Sequence, residues 1–351
     1  MAGPADVAAM RRAVELAERG RATTLPNPVV GAVVLDPDGN PVGEGWHERA
    51  GGPHAEVRAL QAAGERAWGA TLVVTLEPCA HTGRTGPCVD AIVAAGVRRV
   101  VLAVPDPTEL AGGGAERLRA AGIEVESGLL AEQAEEGNEP WLVATRLRRV
   151  FVTWKLATTL DGRAAAADGT SRWITGDAAR ADVHRLRAEC DAIAVGVGTV
   201  LADDPWLTVR DAGGDLAERQ PLRVVVDSRG RTPAGARVRD AAAATWLATA
   251  EKVGAGPTGQ VDLRRLVDRL YADGRRHLFL EGGPRLAGGF VAAGLVDRVV
   301  AYVAPALLGS GPSVLGEAGI ASIAGIRRLE ITDVTRLGPD LRVTARPARP
   351  G

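Results

Sequence analysis

The sequence predicts an α/β protein organised as two units. Three observations carry that prediction. Strand-like and helix-like runs alternate through residue 126, a charged helix-like stretch occupies 129–149, and a second alternation begins at 151. A length of 351 residues suits two or three domains, each able to bury a core. Apolar residues at helical spacing make 6–19 an amphipathic helix. Runs at 29–35 and 41–46 flank the turn cluster Asp36-Pro37-Asp38-Gly39-Asn40 and predict a hairpin. Residues 53–63 read as a helix, 71–76 as a buried strand, 87–96 as a helix and 100–104 as a strand. The run 115–121 then turns through Gly122 into 123–126. In the second unit, strands are expected at 151–158, 192–197, 222–227, 245–248, 277–281 and 298–303. Helices at 178–188, 262–272 and 285–293 fill the intervals. The runs 329–337 and 341–345 surround Gly338-Pro339-Asp340 as an antiparallel hairpin, so the second sheet is mixed.

Composition narrows the function. A net charge of −1 and an aromatic content of 3% argue against a broad nucleic-acid footprint and against base-stacking platforms. Apolar content is 46%, but no long uncharged run occurs, so no membrane span is expected. The first dozen residues carry no apolar signal-peptide run, which makes a reducing cytoplasm the expected compartment.

The chemistry is concentrated in His54-Ala55-Glu56 and in the stretch Glu77-Pro78-Cys79 through Pro87-Cys88. One imidazole and two thiolates make three borderline-to-soft ligands, which suits Zn²⁺ and leaves its fourth tetrahedral position open. Glu56, two residues past the histidine, is placed to move protons rather than to bind metal. That set is the toolkit of hydrolytic base deaminases, although eight residues separate the two cysteines where the usual signature has two. Singly, His54 reads as a helix-start residue and each cysteine as a core thiol. It is their combination that points to metal, and a reducing compartment favours metal over a disulfide. Cys190 has no such company and reads as a core thiol.

The second unit offers weaker signals. Glu281-Gly282-Gly283-Pro284-Arg285-Leu286-Ala287-Gly288-Gly289 follows a strand and opens a helix, a natural anion site. Gly196-Val197-Gly198-Thr199 does not continue as a dinucleotide fingerprint. Lys155, one of only two lysines in the chain, lies in an apolar strand, where a charge needs a partner or a task. Asp161-Gly162-Arg163 and Asp203-Asp204-Pro205 read equally well as turns. On residue chemistry alone this is a nucleotide- or phosphate-binding α/β domain.

Taken together, the chain resembles the bifunctional enzymes of riboflavin biosynthesis, in which a pyrimidine deaminase is fused to a reductase. The resemblance rests on Pro26-Asn27-Pro28-Val29-Val30-Gly31, Gly45-Trp46-His47, His54-Ala55-Glu56-Val57 and Thr75-Leu76-Glu77-Pro78-Cys79 through Cys88. In the second unit it rests on the run Lys155 through Arg163, on Ser171-Arg172-Trp173-Ile174-Thr175, on Thr199 through Pro205, on Glu281-Gly282-Gly283-Pro284 and on Ala304 through Gly309. It implies a cytidine-deaminase-like α/β/α sandwich over 1–147 and a dihydrofolate-reductase-like α/β domain with a mixed sheet over 148–351. It also implies one zinc per chain on His54, Cys79 and Cys88, with Glu56 as proton shuttle. Asn27, His47, His81 and Arg84 would line the deaminase pocket. NADPH contacts would fall on Ala157, Trp173, Thr199, Asp203, Ser228 and the loop Gly283, Pro284, Arg285, Leu286, Ala287, Gly288 and Gly289. The ribose-phosphate substrate would meet Lys155, Ser171, Arg187, Leu207, Arg210 and Glu281, with the arginines as phosphate forks.

The implied activity is deamination of a diaminopyrimidinone ribose phosphate, then NADPH-dependent reduction of ribosyl to ribityl. The implied partners are that small molecule and further copies of the chain, with neither nucleic acid nor membrane. Three departures from the family pattern stand out: Asp106-Pro107-Thr108-Glu109 in a shortened loop, Gly86 in place of proline, and Glu139-Pro140 near the end of the linker helix. A nucleic-acid deaminase, a zinc-stabilised scaffold and a fusion with one inactive half remain as alternatives at this point.

Overall fold

The computed structural model describes residues 2–81, 86–108, 111–211 and 213–348. The chain divides into two compact units, Met1–Leu147 and Arg148–Gly351. No helix among the described residues is long and apolar enough to cross a membrane.

In the first unit the order is α1 (Pro4–Glu18), β1 (Gly31–Leu35), β2 (Pro41–Trp46), α2 (Ala55–Ala63), β3 (Thr71–Leu76), α3 (Cys88–Ala94), β4 (Arg99–Val104), α4 (Gly114–Ala120), β5 (Glu124–Ser127) and α5 (Ala131–Leu147). The sheet runs β2-β1-β3-β4-β5, antiparallel around β1 and parallel from β3 to β5. Period-2 alternation decides the layers. Ala32 and Val34 pack with α2, α3 and α4, whereas Val33 and Leu35 pack with α1 and α5. Helices therefore cover both faces, and the strands read as near-continuous apolar runs for that reason. Gly45 sets the distance between β2 and α2. A Cβ there would lie 2.5 Å from the Ala55 carbonyl oxygen and the Ala59 nitrogen, so only glycine lets the helix carrying His54 and Glu56 lie this close.

The second unit contains β6 (Phe151–Thr159), α6 (Asp177–Ala188), β7 (Ala192–Gly196), α7 (Val197–Asp203), β8 (Leu222–Val226), β9 (Thr245–Ala248), α8 (Ala250–Val253), α9 (Leu263–Ala272), β10 (His277–Leu280), α10 (Pro284–Ala292), β11 (Arg298–Ala304), β12 (Leu329–Leu337) and β13 (Asp340–Pro347). Its sheet order is β12-β13-β11-β6-β10-β7-β8-β9. Strands β11 through β9 in that order are parallel, and the hairpin β12–β13 adds the antiparallel end. α9 and α10 bury Leu266, Leu270, Ala287 and Phe290 on one face, and α6 and α7 bury Ala179, Val183, Val197 and Val200 on the other.

Three local features differ from the sequence reading. β1 begins at Gly31, not 29, because the Val29 backbone bonds to the Asn138 side chain instead of to a strand. α7 was not foreseen, since Gly196-Val197-Gly198 reads as a turn and only the apolar pair Val197 and Val200 marks the helix. α5 continues through Pro140, its buried side held by Ala134, Asn138, Leu142 and Ala144.

Candidate active sites

Two chain crossings build the first site. β3 ends at Leu76 and delivers Cys79; α2 begins after His54 and places Glu56 in its first turn; Cys88 opens α3. His54 Nδ1 lies 3.2 Å from Cys88 Sγ and 3.6 Å from Cys79 Sγ, and the two sulfurs are 3.5 Å apart. Tetrahedral zinc, with bonds of about 2.0–2.3 Å, would hold such ligands about 3.5–3.8 Å apart, so the three residues fit the ion as they stand. Among the described residues no fourth His, Cys, Asp or Glu joins them, which leaves a coordination position for chemistry. The Cys88 thiol donating to Cys79 pulls the Cys79 thiol down to about 4, with His54 helping against the effect of burial. Cys88 is pushed the other way, and Cys79 is the thiolate of the pair. Glu56 is 3% exposed, and burial pushes its carboxyl above the usual range although His54 opposes it. A carboxyl held near the proton-binding side of its titration is suited to receiving and returning a proton. His47 is buried, which pushes its imidazole down toward neutrality; it meets Asn27 Nδ2 at 3.3 Å and packs edge-on against His54.

The second unit holds a cleft of about 1810 Å³ along the carboxyl ends of its parallel strands. That exceeds the volume of a single small ligand and has room for a dinucleotide beside a substrate. Its floor is charged. Arg187 of α6 forks onto Glu281 after β10, Nε to Oε1 at 2.5 Å and Nη2 to Oε2 at 2.9 Å. Lys155 of β6 feels the same carboxylate electrostatically; burial pushes its ammonium down and Glu281 partly restores it. Two basic side chains around one carboxylate make this floor suited to an anionic group such as a phosphate.

Residues 4–104 match the cytidine and deoxycytidylate deaminase zinc-binding region, and residues 150–343 match the RibD C-terminal domain. The chain is 50% identical to the riboflavin biosynthesis protein RibD of Mycobacterium tuberculosis over 334 residues, covering 95% of each chain. The chain belongs to the RibD family. Among solved structures, Acinetobacter baumannii RibD matches at 40% identity with a TM-score of 0.89, covering 98% of this chain and 99% of the other. A diaminohydroxyphosphoribosylaminopyrimidine deaminase/5-amino-6-(5-phosphoribosylamino)uracil reductase from Thermotoga maritima matches at 34% and 0.87, with the same coverage. The protein is a bifunctional deaminase and reductase of riboflavin biosynthesis whose cofactors are zinc and NADPH.

Within the RibD frame most of the expected site residues come together. Lys155, Ala157, Ser171, Trp173, Arg187, Thr199, Asp203, Leu207, Ser228, Glu281, Gly283, Pro284, Arg285, Leu286 and Gly289 all line the cleft. Three do not. Ala287 faces the core, and Gly288 packs on the Glu317 backbone, where a Cβ would come within 2.3 Å of the carbonyl oxygen. The helical turn of α10 points both away from the ligand side. Arg210 lies outside the lining and donates to the Gly214 carbonyl at 2.6 Å. In the deaminase, His81 has a buried Nδ1 with no partner among the described residues, and Arg84 falls outside them.

Sequence reasoning missed four supporting residues. Asn138 grips the Val29 backbone at both ends, N–H to Oδ1 at 2.8 Å and Nδ2 to carbonyl at 2.7 Å, and so anchors the segment carrying Asn27. Glu77 accepts from the Asp106 and Ala115 amides at 3.0 and 2.8 Å and ties down the rim. Thr108 in the shortened loop closes onto Asp106 Oδ1 through its amide and hydroxyl, so residues 106–108 form a turn, while Glu109 lies outside the described residues. Arg223 is wholly buried and donates to the Trp206 carbonyl, to Asp240 Oδ1 and to the Asp240 carbonyl. It fixes the strand-end loop in which buried Leu207 holds the left-handed φ of 52°. An arginine in an apolar strand at 223 was the one available signal.

Proposed function

We propose that the first unit deaminates a 2,5-diamino-6-ribosylamino-4(3H)-pyrimidinone 5′-phosphate. The second unit then reduces the ribosyl group to ribityl with NADPH, giving 5-amino-6-ribitylamino-uracil 5′-phosphate. The observation that carries this reading is the pairing of a His54–Cys79–Cys88 cluster and buried Glu56 with a separate cationic cleft on Lys155 and Arg187. Zinc, when bound, supplies the Lewis acidity that makes water nucleophilic near neutral pH. Glu56 takes up the proton lost by the attacking water and hands one to the departing ammonia. Asn27 and His47 orient the pyrimidine, and His81 completes the lining with them. In the reductase, Ala157, Trp173, Thr199, Asp203, Ser228 and the start of α10 would hold NADPH, which when bound would supply the hydride that reduces the ring-opened imine and leave as NADP⁺. Lys155 and Arg187 hold the substrate phosphate, and Arg210 reaches it when the substrate draws its guanidinium from Gly214.

We place the enzyme in the cytoplasm, which suits three free cysteines. We also infer a homo-oligomer, because Leu329, Ile331 and Val334 on the edge strand β12, with Ile323 and Ile326 in the segment before it, are exposed apolar side chains. The test is mass spectrometry of the product after mixing zinc-loaded protein and substrate with and without NADPH. Exchange of amine for oxygen without NADPH, followed by a two-electron reduction on adding it, is the expected outcome. Turnover under neither condition would refute the substrate assignment.

A further inference from the structure

Helix α6 turns one side to the cleft of the second unit, and a histidine there has no partner in the protein. Arg180, His184 and Arg187 have the spacing that stacks side chains on one face of a helix, and all three line the cleft. The two arginines are committed. Arg180 donates to the Thr175 carbonyl at 2.7 Å and pairs with Asp177. Arg187 forks onto Glu281 and gives a further N–H to the Thr208 carbonyl at 3.3 Å. His184, half-buried between them, has no ion pair and no hydrogen bond among the described residues. Its Nδ1 is enclosed without a partner, so the ring meets the cleft through Nε2. With no protein group fixing its tautomer or its charge, the proton on this ring answers to what the cleft holds.

The charges around it come from three elements. Burial holds the imidazole below its ordinary range; Arg187 on its own helix adds to that, Glu281 after β10 opposes it, and Arg210 in the loop between α7 and β8 adds again. Lys155 of β6 acts on the same Glu281 carboxylate. The free protein therefore keeps the ring neutral near pH 7. A phosphate monoester reverses that balance. Its second proton leaves near pH 6, so above pH 7 it brings about two negative charges where Glu281 supplies one. A dianion facing Nε2 makes the protonated imidazole the favoured form.

We propose that His184 is a proton-gated donor of the reductase's anion floor: neutral in the free protein, it takes up a proton as the substrate's phosphate dianion binds and donates to it from Nε2. The proposal rests on the reading of this unit as a reductase of a ribose phosphate and adds a titrating positioning residue to it. One solvent proton joins the ring for each phosphate bound, and no covalent bond to the ligand forms. Affinity then falls about tenfold per pH unit between the pH at which the free ring titrates and the pH at which the bound ring does.

The test is nuclear magnetic resonance of the full-length protein with ring-labelled histidine. The chain has five histidines, and the H184Q variant identifies the signal of this one. Ribose 5-phosphate should raise the pH midpoint of that signal by about one unit or more, and ribose should leave it in place. Kinetics give the second readout. Between pH 7 and pH 8.5, where the phosphate charge is constant, the wild-type KM for the phosphorylated substrate should rise about 3- to 10-fold. H184Q keeps a donor that does not titrate, so its KM should stay level over that range. A signal that ribose 5-phosphate leaves unmoved overturns the proposal, as does an H184Q protein that keeps the wild-type pH dependence. A KM raised by the same factor at every pH, with KM for NADPH raised alongside it, shows a structural role and overturns it too. NADPH oxidation with an unmoved signal leaves the reductase reading standing. A signal that moves in a protein that never oxidises NADPH supports the phosphate site and overturns that reading.

Discussion

Replacing Glu281 by glutamine isolates the electrostatics of the reductase floor. Its side chain is 9% exposed and that of Arg187 16%, so the pair is largely desolvated, and the carboxylate also acts electrostatically on buried Lys155. Removing one partner of a buried pair costs about 3–5 kcal/mol, because the surviving charge remains out of water. Residual exposure of Arg187 favours the lower end, about 3 kcal/mol, but two cations rather than one are stranded here. In a domain of about 200 residues each kcal/mol moves the midpoint by about 2–4 °C, so E281Q should melt about 6–12 °C lower in that unit's transition. R187M should cost less, since Lys155 still answers Glu281, and the double variant should cost less than the two singles summed. The pH dependence has a definite sign. Burial already depresses Lys155, and without Glu281 its folded-state affinity for a proton falls further below that of the unfolded chain. The unfolded state then binds more protons, so the E281Q deficit shrinks as pH rises and Lys155 deprotonates. Differential scanning calorimetry of the four proteins across that range checks this. A midpoint for E281Q within about 2 °C of wild type, or strict additivity in the cycle, would refute the reasoning.

Glu56→Gln should retain zinc by atomic absorption, lower the deamination rate by about 10²- to 10⁴-fold and spare the reductase; full deamination would remove Glu56 from the mechanism. Asn138→Ala leaves the buried Val29 amide and carbonyl unpaired, so it should cost about 1–3 kcal/mol in urea unfolding and raise the deaminase KM through Asn27. An unchanged KM would show that Asn27 is positioned without it. Thr159 and the amides of Leu308 and Gly309 pull Asp161 from 3.8 down to about 2. That carboxylate therefore supports the fold above the upper value and ceases to as pH falls through the lower one. The urea midpoint of wild type should drop across that window more steeply than that of D161N, which lacks this one titrating carboxylate; parallel profiles would count against the role.

The contrast between residues the sequence revealed and those it hid is physical. His54, Glu56, Cys79 and Cys88 were legible because each has a reactive atom and their types together fit one chemistry. β3 and β4 were legible as short continuous apolar runs between turns, and α9 by its helical periodicity. Arg223, Asn138 and Glu77 were hidden because their work is to satisfy backbone groups of segments remote in the chain: 206 and 240 for Arg223, 29 for Asn138, 106 and 115 for Glu77. No local pattern records which carbonyl or amide will be left unpaired until the fold brings it near. The loop Gly283 through Gly289 shows the converse limit. Its composition announced an anion site, but composition cannot phase a helix. Once Pro284 fixes the first turn of α10, Ala287 and Gly288 rotate to the core and onto the Glu317 backbone while Gly289 returns to the cleft. The glycines at 288 and 289 thus serve different ends: the first lets the backbone of Glu317 come within contact of the helix, and the second leaves room for the Leu263 side chain beside the cleft.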